Sequence, residues 1–319
     1  MMLGRSERES PAHATLAAEL GGWSRLVEPD APAATTLPTT PAGSQPGDLL
    51  GGGAGEPGGP PALELLDLGT NADTLATVAS IAGLAAVVHL GHPEQPAPAL
   101  EEALLAGDPS LMLTAAVPVR TQWVWAGRPG ASGGAVVIDE AGLRDCRDVL
   151  RTLGVSPRLV PTRTPVAERA EIAGPDGSLV VERPRVPAGL VELAGSERLS
   201  DLPPVWYGLL ESRAAWPRYA GPAQVWLAFG PYDDHRGSLQ PTLAVIADAG
   251  IDLQHLRSHP SARGPHVFFT SFLCPRVEVL DTLGTDLDAR GIAYRVLAVL
   301  PGEGFVPGPA ALAPRWSGA

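Results

Sequence analysis

The chain has 319 residues, enough for about two domains, and 23 basic against 35 acidic residues leave a net charge of −12. Every basic residue is Arg; the absence of Lys excludes Schiff-base lysines and lysines that hold phosphates. The acidic balance argues against a nucleic-acid partner, because phosphate contacts need a basic surface. With no run of 18 apolar residues and no signal-peptide core in residues 1–22, we expect a cytoplasmic protein without a membrane partner.

The N-terminal part of the chain is rich in glycine and proline. Residues 41–61 contain 13 of these in 21 positions. Such a run buries too little apolar surface to offset its chain entropy. We therefore expect residues 1–61 to be a poorly folded extension and linker, with at most a short helix at 16–26 that includes Trp23. The Pro- and Gly-rich residues 304–319 are expected to be a frayed tail.

Residues 62–221 alternate short apolar segments with helical ones. Strands are predicted near 63–68, 85–90, 111–119, 123–125, 135–138, 159–160 and 178–181, and helices near 73–84, 101–105, 140–153 and 166–172. This alternation predicts an α/β fold with a mostly parallel, wound sheet. The two cysteines, Cys146 and Cys274, have no CxxC spacing and are expected to be unpaired and half-buried.

Residues 222–303 have the clearest pattern in the chain. Apolar positions 225, 227 and 229 alternate as in a half-buried strand, and Leu239, Leu243 and Ile246 recur at helical spacing. Further strands at 251–258, 267–272 and 292–300, with a second helix that stops at Gly291, complete the order βαββαβ. This order predicts a ferredoxin-like unit.

Four motifs in this unit resemble the ACT domain of bacterial prephenate dehydratases. Gly237-Ser238-Leu239 stands where that family has Gly-Ala-Leu, and Ile251-Asp252-Leu253 where it has Ile-Asn-Leu. Arg257-Ser258-His259-Pro260 replaces Glu-Ser-Arg-Pro, and Phe268-Phe269 matches the paired phenylalanines of the third strand. The resemblance covers about 80 residues in the right order and spacing.

The upstream region resembles the same family less closely. Leu68-Gly69-Thr70 is matched to the family's Leu-Gly-Pro-x-Gly-Thr-Phe loop, and Asp201 stands where the family has an Asp before Asn-x-Thr-Arg-Phe. The Asn, Thr and Arg of that motif are absent here, as is an Asn-Ser-x-x-Gly-x-Val segment between 107 and 119. We therefore expect a trimmed two-lobed α/β region, residues 62–221, followed by an ACT regulatory domain at 222–303.

The resemblance implies an enzyme of phenylalanine biosynthesis that converts prephenate to phenylpyruvate with loss of water and CO₂. Such a site binds two carboxylates, which in a protein without Lys requires Arg or backbone amides, and places an acid or hydroxyl near the leaving oxygen. The catalytic candidates are Thr70, Arg120 and Thr121, and further polar residues expected between the lobes are Asn71, Thr74 and Arg163. Arg120 can equally be a solvated strand-end residue, and the Trp123/Trp125 pair can be core packing or a pocket wall.

The ACT resemblance implies that Gly237, Ser238, Leu239, Ser258, His259 and Pro260 bind an amino acid such as phenylalanine, with a homodimer or tetramer formed through these domains. No cofactor is implied, and the seven histidines lack metal-ligand spacing, so no metal site is expected. Two alternatives remain open. One is a catalytically degenerate homologue that binds an aromatic amino acid or a partner enzyme, and the other is a prephenate decarboxylase-like enzyme of a specialised-metabolite pathway.

Overall fold

The computed structural model describes residues 2–26, 63–93, 95–131, 134–230, 237–259 and 266–308. The strands are β1 (Met2–Arg5), β2 (Leu66–Asp67), β3 (Leu84–His92), β4 (Gln95–Pro96), β5 (Leu111–Val119), β6 (Trp123–Gly127), β7 (Val136–Asp139), β8 (Arg158–Val160), β9 (Ser178–Glu182), β10 (Val191–Glu192), β11 (Val205–Ser212), β12 (Ala223–Gly230), β13 (Leu253–His259), β14 (Val267–Cys274) and β15 (Ala293–Pro301). The helices are α1 (Pro11–Leu20), α2 (Asn71–Ser80), α3 (Pro98–Ala106), α4 (Glu140–Thr152), α5 (Val166–Ala173), α6 (Ser196–Ser200), α7 (Leu239–Asp248) and α8 (Val277–Ala289). Within these ranges no helix is long and apolar enough to cross a lipid bilayer.

The strands form two sheets, which define two lobes. One sheet has the order β13-β14-β12-β15-β5-β11-β3-β1-β2, with β4 paired to β3, and the other has the order β10-β6-β9-β7-β8. The chain passes from the first lobe to the second at 120–122 and returns at 201–204. The predicted two-lobed α/β class is confirmed. The sheets are mixed rather than mostly parallel, because β11 returns antiparallel between β3 and β5, and β6 runs antiparallel to β9.

Strand β3 shows why the first lobe has helices on both faces. Its residues are almost continuously buried, as expected for a central strand covered on two sides. Val88 and Leu90 face a core that α2 and α3 contribute to, whereas Ala85 and Val87 face the core under α1. The neighbouring helix α2 is capped by Thr70, whose hydroxyl and backbone exchange hydrogen bonds with Asp73 in a capping box.

The C-terminal elements have the predicted order βαββαβ and the ferredoxin-like strand order β13-β14-β12-β15. Helices α7 and α8 cover one face of these four strands. The other face is covered by α3 of the first lobe, whose Leu100 and Leu104 pack in one core with Trp226 and Phe269. The unit is also joined edge to edge with the first lobe, since β15 runs parallel beside β5 with Ala298 opposite Leu113.

The prediction that residues 1–61 form a poorly folded extension is wrong for residues 2–26. Strand β1 pairs in parallel with both β2 and β3, which buries Leu3. Helix α1 starts earlier than predicted and buries its alanines Ala14, Ala17 and Ala18 completely, while Trp23 lies in a following 3-10 turn. Small residues carry this packing, so the segment lacks the large apolar periodicity that predicts a core helix. The remainder, 27–62, lies outside the described residues.

The prediction of a frayed tail at 304–319 is wrong for its first residues. Phe305 is 3% exposed and packs between Trp206 of β11 and Trp226 of β12, with ring centroids 5.5 and 6.0 Å away. A buried aromatic side chain supplies enough apolar contact to hold an otherwise Pro- and Gly-rich segment. Residues 309–319 lie outside the described part of the chain.

Candidate functional site

The segment between β1 and α1 belongs to the first lobe and contacts the second. Ser10 ends this segment and caps α1: its hydroxyl accepts the His13 amide at 3.1 Å, and Pro11 follows in the first helical position. We call residues 6–10 the strap. Four successive strap residues contact the second lobe: Glu7 lies 3.8 Å from Arg163, the Arg8 carbonyl accepts Thr162 Oγ1 at 3.5 Å, Glu9 Oε2 accepts Arg144 Nη1 at 2.9 Å, and Ser10 Oγ donates to Glu182 Oε1 at 2.5 Å.

Arg144 on α4 is the cation at the centre of this interface. Asp139 fixes the start of α4 by accepting the Gly142 amide at 2.7 Å. Arg144 Nε donates to Asp145 at 2.9 Å and Nη1 donates to Glu9, whereas Nη2 is buried and makes no hydrogen bond of good geometry with the residues that the structure describes. Burial opposes the charge, but Glu9 and Asp145 outweigh it and hold the pKa of Arg144 above its ordinary value.

Tyr207 and His89 of the first lobe face Arg144 and carry no charge at neutral pH. Tyr207 is fully buried on β11, and burial raises the pKa of its phenol well above 10. Burial, assisted by Arg144, lowers the pKa of His89 well below 6.5. The two rings meet edge to face at 5.7 Å. Neither the Tyr207 hydroxyl nor His89 Nε2 makes a hydrogen bond of good geometry with the described residues. The Tyr207 hydroxyl does lie close to the Arg144 guanidinium, which by itself favours the ionised phenol and so lowers its pKa.

His13 and Thr121 add two further buried polar groups. His13 packs edge-on against Trp123 at 5.0 Å, and burial lowers its pKa despite the nearby carboxylate of Glu182. Gln122 N donates to His13 Nε2 at 3.5 Å, so the neutral ring carries its hydrogen on Nδ1. This Nδ1 has no partner in the part of the chain that the structure describes. Thr121 is 3% exposed in the crossing segment, and its hydroxyl also lacks a partner among the described residues.

These groups share one property: they are buried hydrogen-bond donors without an acceptor in the described part of the chain. Buried polar groups in proteins are almost always paired, because an unmade hydrogen bond costs roughly 1–3 kcal/mol. Tyr207 and His13 lie near the Arg144 guanidinium, and Thr121 is buried in the adjacent crossing segment. Such donors suit a ligand that brings acceptor oxygens. The donors are Arg144 Nη2, the Tyr207 and Thr121 hydroxyls and His13 Nδ1. No group of three or more His, Cys, Asp or Glu side chains in the described ranges is arranged to hold a metal ion.

Of the three predicted catalytic residues, Thr121 is buried next to Gln122, whose amide donates to His13, whereas its other neighbour Arg120 is exposed. Thr70 is used as the cap of α2 and lies beside the strap, since Glu7 N donates to the Gly69 carbonyl at 2.7 Å.

The other polar residues expected between the lobes lie on α2 or at the surface. Asn71 begins α2, Thr74 is buried in that helix with a hydroxyl that has no partner among the described residues, and Arg163 is an exposed partner of Glu7. The tryptophans are packing residues: Trp123 is completely buried in the core of the second lobe, and Trp125 donates to Ser178 at 2.6 Å.

Sequence reasoning missed Glu9, His13, Arg144 and Tyr207. Two local signals point to them: Ser10-Pro11 is a helix start directly after a run of charged residues, and Tyr207 is a hydroxyl-bearing residue inside an apolar strand. Neither signal says that the residues meet. Arg144 is 135 positions from Glu9, and only the packing of the lobes brings them together.

The residues predicted to bind an amino acid lie at two places in the C-terminal unit. Gly237 precedes α7 with φ +92°, a conformation suited to glycine, followed by Ser238, which is 9% exposed, and Leu239. Ser258 is exposed on β13, and Pro260 lies outside the described residues. His259 already has a partner: its Nε2 lies 2.6 Å from Glu101 of α3.

Glu101 also binds the guanidinium of Arg257 from the same strand. Arg257 Nη1 donates to Glu101 Oε2 at 2.5 Å, and the guanidinium lies 5.9 Å above the Phe269 ring. Glu101 itself is 1% exposed. This buried carboxylate therefore joins the edge strand of the C-terminal unit to the first lobe.

The fold is that of prephenate dehydratases. The enzyme from Staphylococcus aureus is similar with a TM-score of 0.54 and 12% identity, over 74% of this chain and 89% of that one. The enzyme from Arthrobacter aurescens, solved in complex with L-Phe, is similar with a TM-score of 0.56 and 22% identity, over 77% and 84% of the two chains.

A third similar structure is described as GqqA, a novel type of quorum quenching acylase. Its TM-score is 0.58 at 16% identity, and the likeness spans 96% of this chain and 99% of that one. The chain matches no protein-family model and no curated protein. Because structures described by different activities share this fold, the reaction has to be argued from the site.

Proposed function

We propose that this protein is a prephenate dehydratase-like enzyme that converts prephenate to phenylpyruvate between its two lobes. The observation that carries the proposal is the cluster of buried donors without acceptors around Arg144. Its position between the lobes, beside both crossings of the chain, supports an assignment as the substrate site. Two-lobed folds place ligands between lobes, where closure removes water and strengthens electrostatic contacts.

The donors match the chemistry that this reaction requires. The ring carboxylate leaves as CO₂, its electron pair enters the ring, and the hydroxyl on the opposite side departs and takes up one proton to become water. Arg144 offers a guanidinium for a carboxylate. The Tyr207 hydroxyl and His13 Nδ1–H offer hydrogen bonds to the departing oxygen. The high pKa of Tyr207 keeps that hydroxyl protonated at neutral pH.

The test is a prephenate assay followed by mass spectrometry of the products. We expect phenylpyruvate from the wild-type chain, and a loss of roughly 10²-fold or more in Arg144→Gln and Tyr207→Phe, since each removes a group placed for the transition state. Arg163→Gln removes an exposed arginine from the rim and serves as the matched control, with activity near wild type. Unchanged prephenate after incubation with folded wild-type protein contradicts the proposal.

A second candidate, a catalytically degenerate homologue that binds an aromatic amino acid or a partner enzyme, is favoured by a different observation. The strap contacts the second lobe through four successive residues, and Glu9 is only 4% exposed. The Asn-x-Thr-Arg-Phe motif is also absent after Asp201. This candidate predicts no loss of prephenate and a measurable calorimetric signal with Phe, Tyr or Trp.

The same assay separates the decarboxylase-like alternative, whose product keeps the hydroxyl and is heavier than phenylpyruvate by one water.

For the C-terminal unit we propose an ACT-type regulatory role with phenylalanine as ligand and a homodimer or tetramer as the assembly. Support comes from the βαββαβ order, the left-handed Gly237 ahead of α7 and the similarity to the enzyme solved with L-Phe. Calorimetry with L-Phe and sedimentation test this; a monomer without a binding signal contradicts it. We also propose a cytoplasmic location, which suits two buried, unpaired cysteines.

A further inference from the structure

The contact between Glu9 and Arg144 has the form of a carboxylate ligand bound to its arginine. Arg144 Nη1 donates to Glu9 Oε2 at 2.9 Å, and the Glu9 side chain is 5% exposed. Asp145 already accepts from Arg144 Nε, and within the described ranges Nη2 makes no hydrogen bond of good geometry, although the Tyr207 hydroxyl lies near the guanidinium. A ligand carboxylate in the usual bidentate geometry accepts hydrogen bonds from both Nη atoms. It therefore requires the position that the Glu9 carboxylate now occupies.

We propose that Arg144 is the binding site for one carboxylate of a small organic acid, and that Glu9 and the ligand carboxylate exclude each other. The strap therefore has to leave the second lobe when the ligand binds. This inference rests on the proposed function for the location of the site. It adds the chemical group that Arg144 binds and the internal competitor that controls access.

The charges of the interface favour exchange over simple addition. Three carboxylates meet at this interface, those of Glu9, Asp145 and Glu182. Among the described residues they form ion pairs with only two arginines, Arg144 and Arg185. A second carboxylate beside Glu9 adds an uncompensated negative charge to a buried cluster, which is strongly unfavourable. Replacing the Glu9 carboxylate by that of the ligand leaves the buried charge unchanged.

The strap can leave without removing the support of the fold on either side. Strand β1 stays paired with β2 and β3, and α1 stays packed through its buried alanines. Glu182 loses the Ser10 hydroxyl but keeps Arg185 at 3.4 Å. The outermost strap contact, between Glu7 and Arg163, is 3.8 Å long with Arg163 74% exposed, and such surface pairs contribute little to stability.

The experiment is calorimetric binding of phenylpyruvate to the full chain, which requires no turnover. Glu9→Gln keeps the size of the side chain and removes the competing charge, so we expect phenylpyruvate to bind on the order of tenfold more tightly than to wild type. Arg144→Gln abolishes binding in both backgrounds. Glu7→Gln, which removes a carboxylate from the same strap without touching Arg144, leaves the affinity unchanged. Equal affinities of Glu9→Gln and wild type overturn the inference.

Hydrogen exchange on the wild-type protein tests the same idea without a variant. The His13 and Ala14 amides are held by Ser10 at 3.1 and 2.9 Å, so displacement of the strap makes them exchange faster when phenylpyruvate is added. Slower exchange means that the strap closes on the ligand, which contradicts the inference. The methyl ester of phenylpyruvate, which lacks the charge, is expected to change neither amide. Faster exchange without prephenate turnover supports the carboxylate site while contradicting the dehydratase proposal.

Discussion

Removing the Glu101 carboxylate is expected to weaken the attachment of the C-terminal unit to the first lobe. Glu101→Gln keeps one carbonyl oxygen, which can accept from Arg257 or from His259, and turns an amide donor toward the other side chain. The side chain is 1% exposed, so water cannot replace the lost acceptor. The substitution therefore weakens two long-range contacts, since Arg257 and His259 are 156 and 158 positions from Glu101 in the sequence.

The size of the effect follows from the burial of the three groups. A hydrogen bond to a charged group contributes roughly 1.5–3 kcal/mol. Arg257 and His259 are about a third exposed, which reduces the contribution of each. We expect Glu101→Gln to lower the free energy of unfolding by about 2 kcal/mol. Replacing both Arg257 and His259 by Gln costs more, roughly 3–5 kcal/mol, because the buried carboxylate is then left unpaired.

The assay is urea unfolding of each variant, with hydrogen exchange of β13 as a local readout. The adjacent Glu102 is exposed on the same helix, so Glu102→Gln is the matched control and is expected to behave as wild type. The triple variant, which combines Glu101→Gln with the replacement of Arg257 and His259, is expected to lose less stability than the sum of the two separate losses. The reason is that the triple variant no longer contains an unpaired buried carboxylate. A Glu101→Gln variant with the stability and β13 exchange of wild type refutes this reasoning.

Three further outcomes are expected. The pKa of His89 is lowered by burial, so the folded state binds its proton less readily than the unfolded state; stability is full above about pH 6.5 and falls below it by up to ~1.4 kcal/mol per pH unit. Between pH 7 and pH 5 the urea midpoint should fall less steeply in His89→Asn than in wild type. The exposed His92→Asn is the control and should behave as wild type. An unchanged slope in His89→Asn, or the same change in both variants, contradicts this prediction. Cys146 and Cys274 are buried, and burial raises the pKa of the Cys146 thiol, so a thiol reagent should label neither in native protein and both in urea; rapid native labelling is the contrary result. Phe305→Ala leaves a cavity between two tryptophans and should cost roughly 3–5 kcal/mol, whereas a variant as stable as wild type shows that the segment is dispensable.

In the C-terminal unit, local sequence patterns predict most of the secondary structure. Its strands and helices have clear periods of 2 and 3.6, and the observed elements α7, β14 and β15 lie within a few residues of the predicted ones. The N-terminal segment shows the opposite. Alanines carry the packing of α1, and β1 is only four residues long, so its composition does not distinguish it from the Gly- and Pro-rich residues that follow.

The candidate site lay beyond sequence reasoning for a related reason. Thr121 could be proposed because it lies beside a predicted strand end. Glu9, Arg144 and Tyr207 come from three separate parts of the chain, and each alone is compatible with an ordinary surface or core position. Their significance depends on mutual burial and on hydrogen bonds left unmade, which are properties of the packed lobes.

The sequence by itself determined the α/β class, the βαββαβ unit and the exclusion of lysine chemistry, because these depend on residue type and local periodicity. Only the tertiary structure decided that residues 2–26 belong to the fold and that arginine meets carboxylate across the lobes. Contacts 135 to 172 positions apart are selected by the burial and charge of the whole chain, and no local window of sequence contains them.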